Sequence, residues 1–85
     1  MLIYIYGKVQ NVGFRFYTRR KAKETGITGF VRNQPDGSVY VEAEGQPEKL
    51  DEFISWCKTG PPWANVKDIS VQDCTVQDFK DFTIK

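Results

Sequence analysis

Arg15 is the residue whose type and position speak most directly of chemistry. It follows the loop "GKVQNVG" (Gly7 to Gly13), where the apolar run "LIYIY" stops, and stands at the start of the amphipathic segment "FRFYTRRKAKE". The N–H groups of a helix's first turn, and of the loop leading into it, lack intrahelical partners and form an anion cradle. A cation at that end is unfavourable by roughly 0.3–1 kcal/mol, because the helix dipole already makes it positive. Arg15 makes sense there if something negative normally sits against it and the free amides. A guanidinium offers paired donors matched to phosphate or carboxylate, so phosphate is the first candidate. The other reading makes Arg15 the first residue of a solvated basic face continued by Arg19, Arg20, Lys21 and Lys23. Position and charge alone leave the two open for Arg15, while the later four residues belong to the solvated face, with a steering role at most.

The residue inventory narrows the chemistry further. With no histidine in 85 residues, the chain lacks the usual base for nucleophile activation, phosphohistidine chemistry and the commonest metal ligand. The loop does not match the "GxxxxGK[ST]" phosphate loop or a dinucleotide fingerprint. Neighbouring acids such as Asp51 and Glu52, or Asp78 and Asp81, read as solvated charges. Cys57 and Cys74 are too few for a disulfide-built fold and fit no zinc spacing; two buried, reduced thiols are expected. Net charge is only +1, yet residues 1–34 carry seven Lys/Arg against one acid and residues 35–85 five against ten. That split favours a local anionic ligand over a long nucleic-acid track. Hydrophobic content of 40% with 27% charged residues describes a small globular protein whose length suits one domain, residues 1–85. No leader pattern and no span of roughly 20 apolar residues is present, so a cytoplasmic protein with no membrane partner is expected.

These residues need elements to position them. "LIYIYG" alternates apolar and aromatic residues as a strand, with Ile3 and Ile5 on one face and Tyr4 and Tyr6 on the other. The segment from Phe14 to Glu24 predicts a helix with Phe14, Tyr17 or Thr18, and Ala22 inward, stopped by Gly26. "ITGFVRN" and "SVYVEAEG" predict a β-hairpin across "QPDG", in which Gly37 takes the positive φ. In its first strand Asn33 shares the face of Val31. By position alone Asn33 reads as a turn asparagine capping the hairpin. Pro47 opens a second helix with Leu50, Phe53, Ile54 and Cys57 inward, ended by "TGPP". Val66 to Val76 predicts a strand with an irregularity, and "DFTIK" a short last strand. The order β-α-β-β-α-β predicts an α+β, ferredoxin-like sandwich: an antiparallel sheet with a short fifth strand and two helices on one face.

Two motifs are more specific. "GKVQNVGFRFYT" closely resembles the acylphosphatase signature of a glycine, then Val-Gln-Gly-Val, a residue that is often Gly or Phe, then Phe and Arg. "GITGFVRNQPDGSVYVEAEG" is similar to that family's second block, Gly-Leu-x-Gly-Trp-Val-x-Asn followed by a turn and Gly-x-Val. Their spacing agrees, as do Gly60-Pro61 and the closing "FTI", so the resemblance spans nearly the whole chain. It implies hydrolysis of acyl phosphates to a carboxylate and inorganic phosphate, without cofactor or metal, by a monomer. It makes Arg15 the phosphate-binding arginine and the backbone amides of Gln10, Asn11, Val12, Gly13, Phe14 and Arg15 the rest of the cradle. Inorganic phosphate or a similar anion then binds as product or inhibitor. The resemblance also reverses the reading of Asn33, which would hold the attacking water through its amide, and it implies that the substrate's own phosphate accepts the proton. The inventory agrees independently: a carboxylate leaves without protonation, and phosphoryl transfer rests on positioning and charge stabilisation.

Three positions depart from the family pattern. Asn11 stands where glycine is usual, and asparagine is the least costly substitute where φ is positive; an intact, stiffer loop with altered affinity or turnover is expected. Phe30 replaces a tryptophan, and Thr25 an apolar residue, both away from the site. Two competing classes fit less well. A non-catalytic anion-binding regulatory module does not require Asn33. A single-stranded RNA binder of the same fold lacks its aromatic signature and has acids in "SVYVEAEG" where phosphates would pass, so Tyr4, Tyr6 and Tyr40 read as packing and surface residues, with no nucleic-acid partner.

Overall fold

The computed structural model describes residues 1–85. Its elements run β1 (Leu2–Lys8), α1 (Phe14–Thr25), β2 (Thr28–Asn33), β3 (Val39–Glu44), α2 (Pro47–Thr59), β4 (Asn65–Gln72) and β5 (Phe82–Ile84). The sheet order is β4-β1-β3-β2-β5. β1 pairs antiparallel with β3 and β4, and β2 with β3, whereas β5 joins the β2 edge in parallel. Both helices lie on one face of this sheet, α1 against β2 and β5 and α2 against β4. This is the ferredoxin-like α+β arrangement the alternation of periods predicts.

Period-two alternation decides which face is the core. Ile3, Ile5, Val31, Val39 and Val41 are fully buried beneath the helices with Phe53 and Cys57. Their neighbours point the other way, and on that open face the Tyr4 and Tyr40 rings meet tilted by 53° with centroids 4.9 Å apart. Arg32 lies over Tyr40 at 4.9 Å and Phe79 meets Phe30 edge-on at 5.9 Å, so these rings and cations cover one another. The Tyr40 hydroxyl donates to Glu42 Oε2 at 2.6 Å, and burial together with that acceptor pushes its pKa up.

In α1 the buried set is Phe14, Thr18, Ala22 and Thr25, four- and three-residue steps along one face. Thr18, not Tyr17, takes the inward position. Its hydroxyl donates to the Phe14 carbonyl at 2.7 Å and that of Thr25 to Lys21 at 2.8 Å, which lets two polar side chains sit in the core. Gly26 ends the helix in the left-handed region, its N–H donating to Ala22.

The strand expected from Val66 to Val76 is shorter and shifted: β4 stops at Gln72, which pairs with Leu2, the first residue of β1. Beyond it no partner strand remains to accept the ladder. The irregularity lies between Tyr6 and Gly7, where pairing steps from Asp68 to Val66 and leaves Lys67 as the additional residue of a bulge. Gly7 has φ 127°, and a Cβ there would collide with the backbone of Asn65 and Lys67. Both cysteines are free; Cys57 is buried, with its thiol pKa pushed up by desolvation, but Cys74 is only half-buried. The expectation of two buried thiols fails for Cys74 because the chain has already left the sheet at Gln72.

Candidate functional site

The loop from Val9 to Gly13 is set by two residues in the left-handed region. Asn11 has φ 62° and Gly13 φ 76°. Gly13 is the N-cap of α1, with no side-chain cap, and the helix has no acid in its first turn. Outside the regular elements, no backbone hydrogen bond is donated by residues 10–16; the first is that of Tyr17 N–H to Gly13 O at 3.1 Å. The loop and the first turn of α1 therefore carry a series of unsatisfied N–H groups at the positive end of a dipole.

Beside them is a cavity of about 250 Å³ lined by Val9, Asn11, Gly13, Phe14, Arg15, Phe16, Asn33 and Ile84. Arg15 and Asn33, eighteen positions apart in sequence, thus face a common space. Arg15 is exposed and takes part in none of the ion pairs, which engage Arg20, Lys21 and Lys23 further along α1. It is the one charged side chain in the lining. Asn33 ends β2, inward like Val31, and its Oδ1 is buried without a hydrogen-bond partner. A buried amide oxygen left unpaired costs on the order of 1–3 kcal/mol, the kind of unmet polar atom that a site keeps for what it binds.

Of the loop residues, Asn11, Gly13, Phe14 and Arg15 line the cavity, and Gln10 and Val12 do not. The Gln10 side chain turns instead to the hairpin, where its Nε2 donates to the Gln34 carbonyl at 2.7 Å and the Ser38 carbonyl at 2.9 Å. These acceptors belong to the turn that follows Asn33, so one amide clamps the loop to the hairpin. Ser38 is itself fastened, its N–H and hydroxyl donating to Asp36 Oδ1 at 2.9 and 2.6 Å. Those bonds, the hydroxyl's first, hold the Asp36 carboxyl below its ordinary value.

Sequence reasoning passed over Val9, Phe16 and Ile84 as lining residues. Phe16 did carry a signal, being an aromatic residue off the Phe14, Thr18, Ala22 face and beside Arg15. Ile84 carried none, because it reaches the cavity only through the pairing of β5 with β2, in which it opposes Val31. No group of three or more His, Cys, Asp or Glu side chains that could hold a metal is present, and no helix is long and apolar enough to cross a membrane.

Comparison with known proteins bears on this site. The acylphosphatase family model matches residues 1–84. An acylphosphatase of Archaeoglobus fulgidus is 46% identical over 82 residues, covering 96% of this chain and 92% of that protein. Among solved structures, an acylphosphatase from Coxiella burnetii superposes with a TM-score of 0.95 at 34% identity, covering 99% of this chain and 88% of the other. One from Bacillus subtilis gives a TM-score of 0.91 at 36% identity, covering 100% and 99%.

Proposed function

Since the chain belongs to the acylphosphatase family and is an enzyme that hydrolyses small-molecule acyl phosphates, we propose that Arg15 and Asn33 carry that reaction in the cavity they share. The observation behind this reading is the cavity itself, which brings an unpaired guanidinium, a run of free amides and an orphaned Asn33 oxygen to one space. The phosphoryl oxygens sit against the Arg15 guanidinium and the N–H groups of the loop, whose positive field grows in value as charge builds on them. Water, held by the Asn33 amide, attacks phosphorus from the side opposite the acyl oxygen. The phosphorus–oxygen bond to the acyl group breaks, and its electron pair leaves on the carboxylate. The water proton passes to a phosphoryl oxygen of the substrate, so the products are a carboxylate and inorganic phosphate and the protein supplies no base. This suits a chain without histidine. The same proposal has residues 1–85 act as one domain, as a monomer, in the cytoplasm.

Hydrolysis of a synthetic acyl phosphate by the wild type, Arg15→Ala and Asn33→Ala, each first shown to be folded, tests the assignment. Arg15→Ala is expected to lose roughly 1,000-fold or more in kcat/KM, by analogy with other phosphate-clamping arginines, and with it competitive inhibition by inorganic phosphate. Asn33→Ala is expected to lose roughly 100-fold in kcat, in line with the loss of one positioned polar group, while phosphate still inhibits. Equal turnover by all three proteins would move the site elsewhere.

A further inference from the structure

Phe14 belongs to two places at once. Its backbone opens α1, its N–H is one of the free amides of the first turn, and it stands beside Arg15 in the cavity lining. Its ring, only 2% exposed, enters the core and packs against the end of α2. There the Trp56 ring meets it tilted by 60° with centroids 5.7 Å apart, and Gly60, the C-cap of α2, presents a bare Cα. A Cβ on Gly60 would stand 2.6 Å from Phe14 Cε2, 3.1 Å from Phe14 Cζ and 3.4 Å from Val66 Cγ2. The Gly60 N–H donates to the Trp56 carbonyl at 2.7 Å, so the two residues that meet the ring belong to one hydrogen-bonded turn.

Gly26 offers a comparison. It too caps a helix with positive φ, 75° against 71° at Gly60, but a Cβ on Gly26 would meet nothing within 4 Å. Backbone conformation alone accounts for glycine at position 26, whereas at position 60 a ring occupies the space a side chain would need.

This seat bears on where α1 begins. A helical side chain leans towards the N-terminus of its helix, so a ring held in close-packed surroundings holds the first turn from which it projects. Displacing the ring shifts the Phe14 backbone, and with it the amides of Phe14 and Arg15 and the root of the guanidinium. A misplacement of about 1 Å in positioned groups can cost roughly 100-fold in rate.

We propose that Gly60 and Trp56 are positioning residues for the reaction, acting through the Phe14 ring, so that the end of α2 sets where the phosphate cradle and Arg15 stand. This rests on Arg15 and the first-turn amides binding the phosphoryl group.

The test is a double-mutant cycle between Gly60→Ala and Phe14→Leu. It is read as kcat/KM for a synthetic acyl phosphate and as the inhibition constant of inorganic phosphate, in proteins shown by circular dichroism to be folded. With Phe14 in place, Gly60→Ala should lower kcat/KM by roughly 10- to 100-fold and weaken phosphate inhibition. In the Phe14→Leu background, where a shorter side chain leaves room for the Cβ, the same change should cost less than about threefold more, although its backbone strain persists. Gly26→Ala, strained but without a contact, should lower the denaturation midpoint and keep the wild-type kcat/KM. Trp56→Leu removes the ring's other neighbour without backbone strain. It should weaken phosphate inhibition several-fold, by the same loss of alignment, and it carries the test if Gly60→Ala does not fold. Wild-type kcat/KM and phosphate inhibition in Gly60→Ala or Trp56→Leu would overturn the proposal. So would a Gly60→Ala loss of equal size in both backgrounds, or an equal loss in Gly26→Ala. Retention of phosphate inhibition in Arg15→Ala instead overturns the phosphoryl reading beneath it, which separates the two failures.

Discussion

Asn11 holds φ 62° in the middle of the loop, where L-residues other than asparagine and aspartate are costly by roughly 1–2 kcal/mol. Its backbone need explains why asparagine can stand there: a short polar side chain tolerates the left-handed region, and glycine tolerates it better. Asn11→Gly should fold as well as the wild type within about 1 kcal/mol, because the strain relieved and the added unfolded-state freedom oppose each other. Its loop should be more mobile, with phosphate affinity or turnover changed and the activity class kept. Asn11→Ala should lose about 1 kcal/mol of stability, read by denaturant unfolding. Identical kinetics and identical loop relaxation in Asn11→Gly and the wild type would refute a role for the asparagine.

The loop and the hairpin are separate elements, and what joins them at the site is the Gln10 side chain, bonded to Gln34 and Ser38 carbonyls on the far side of Asn33. The clamp ties the loop to the turn that follows the asparagine. Gln10→Ala removes two hydrogen bonds and should cost about 1–3 kcal/mol, since each contributes about 0.5–1.5 kcal/mol net. Gln10→Glu should cost more, because a carboxylate cannot donate to either carbonyl. Both variants should lose kcat more than phosphate affinity, for the amides and Arg15 remain while their alignment with Asn33 loosens. Parallel measurement of kcat and of the phosphate inhibition constant checks this; losses confined to phosphate affinity would contradict it. Another tie acts on β5: the Glu44 carboxylate accepts N–H bonds from Gln77 and Phe79, pinning the irregular segment that leads to Phe82–Ile84 and hence to the cavity.

Across the whole molecule the charge is uneven, with +6 in residues 1–34 (seven Lys/Arg, one acid) and −5 in residues 35–85 (five against ten). Much of the basic excess lies on α1, the helix that begins at the site, and its exposed charges set a field that draws anions towards the cavity mouth. Such steering is screened with a Debye length of about 10 Å at 0.1 M salt and about 3 Å at 1 M. Between these, kcat/KM for an acyl phosphate should fall several-fold while kcat changes little, since steering acts on encounter. Arg19→Gln should flatten that dependence: Arg19 sits on α1 outside the cavity lining and in none of the ion pairs. A salt dependence unchanged in Arg19→Gln would show that Arg19 takes no part in the steering.

What the sequence determined by itself was local or periodic. Alternation in "LIYIY" and "VYVEAE", the four-residue steps of α1, and Pro47 and Gly26 as helix punctuation established the elements and their inward faces, because each depends on a residue and its near neighbours. Arg15 was legible as a candidate anion ligand for the same reason, standing in the turn whose dipole and free amides it shares, but its position left a solvated basic face equally open and the resemblance made the choice. The role proposed for Asn33 came only from the resemblance, since a hairpin asparagine has a sufficient local role. Tertiary structure alone decided the rest. The end of β4 at Gln72 follows from where β1 begins. The presence of Ile84 in the cavity depends on the parallel seat of β5 beside β2, and the clamp by Gln10 on a turn more than twenty residues away. Each of these is a pairing between distant segments, and no residue's own propensity records which partner it will meet.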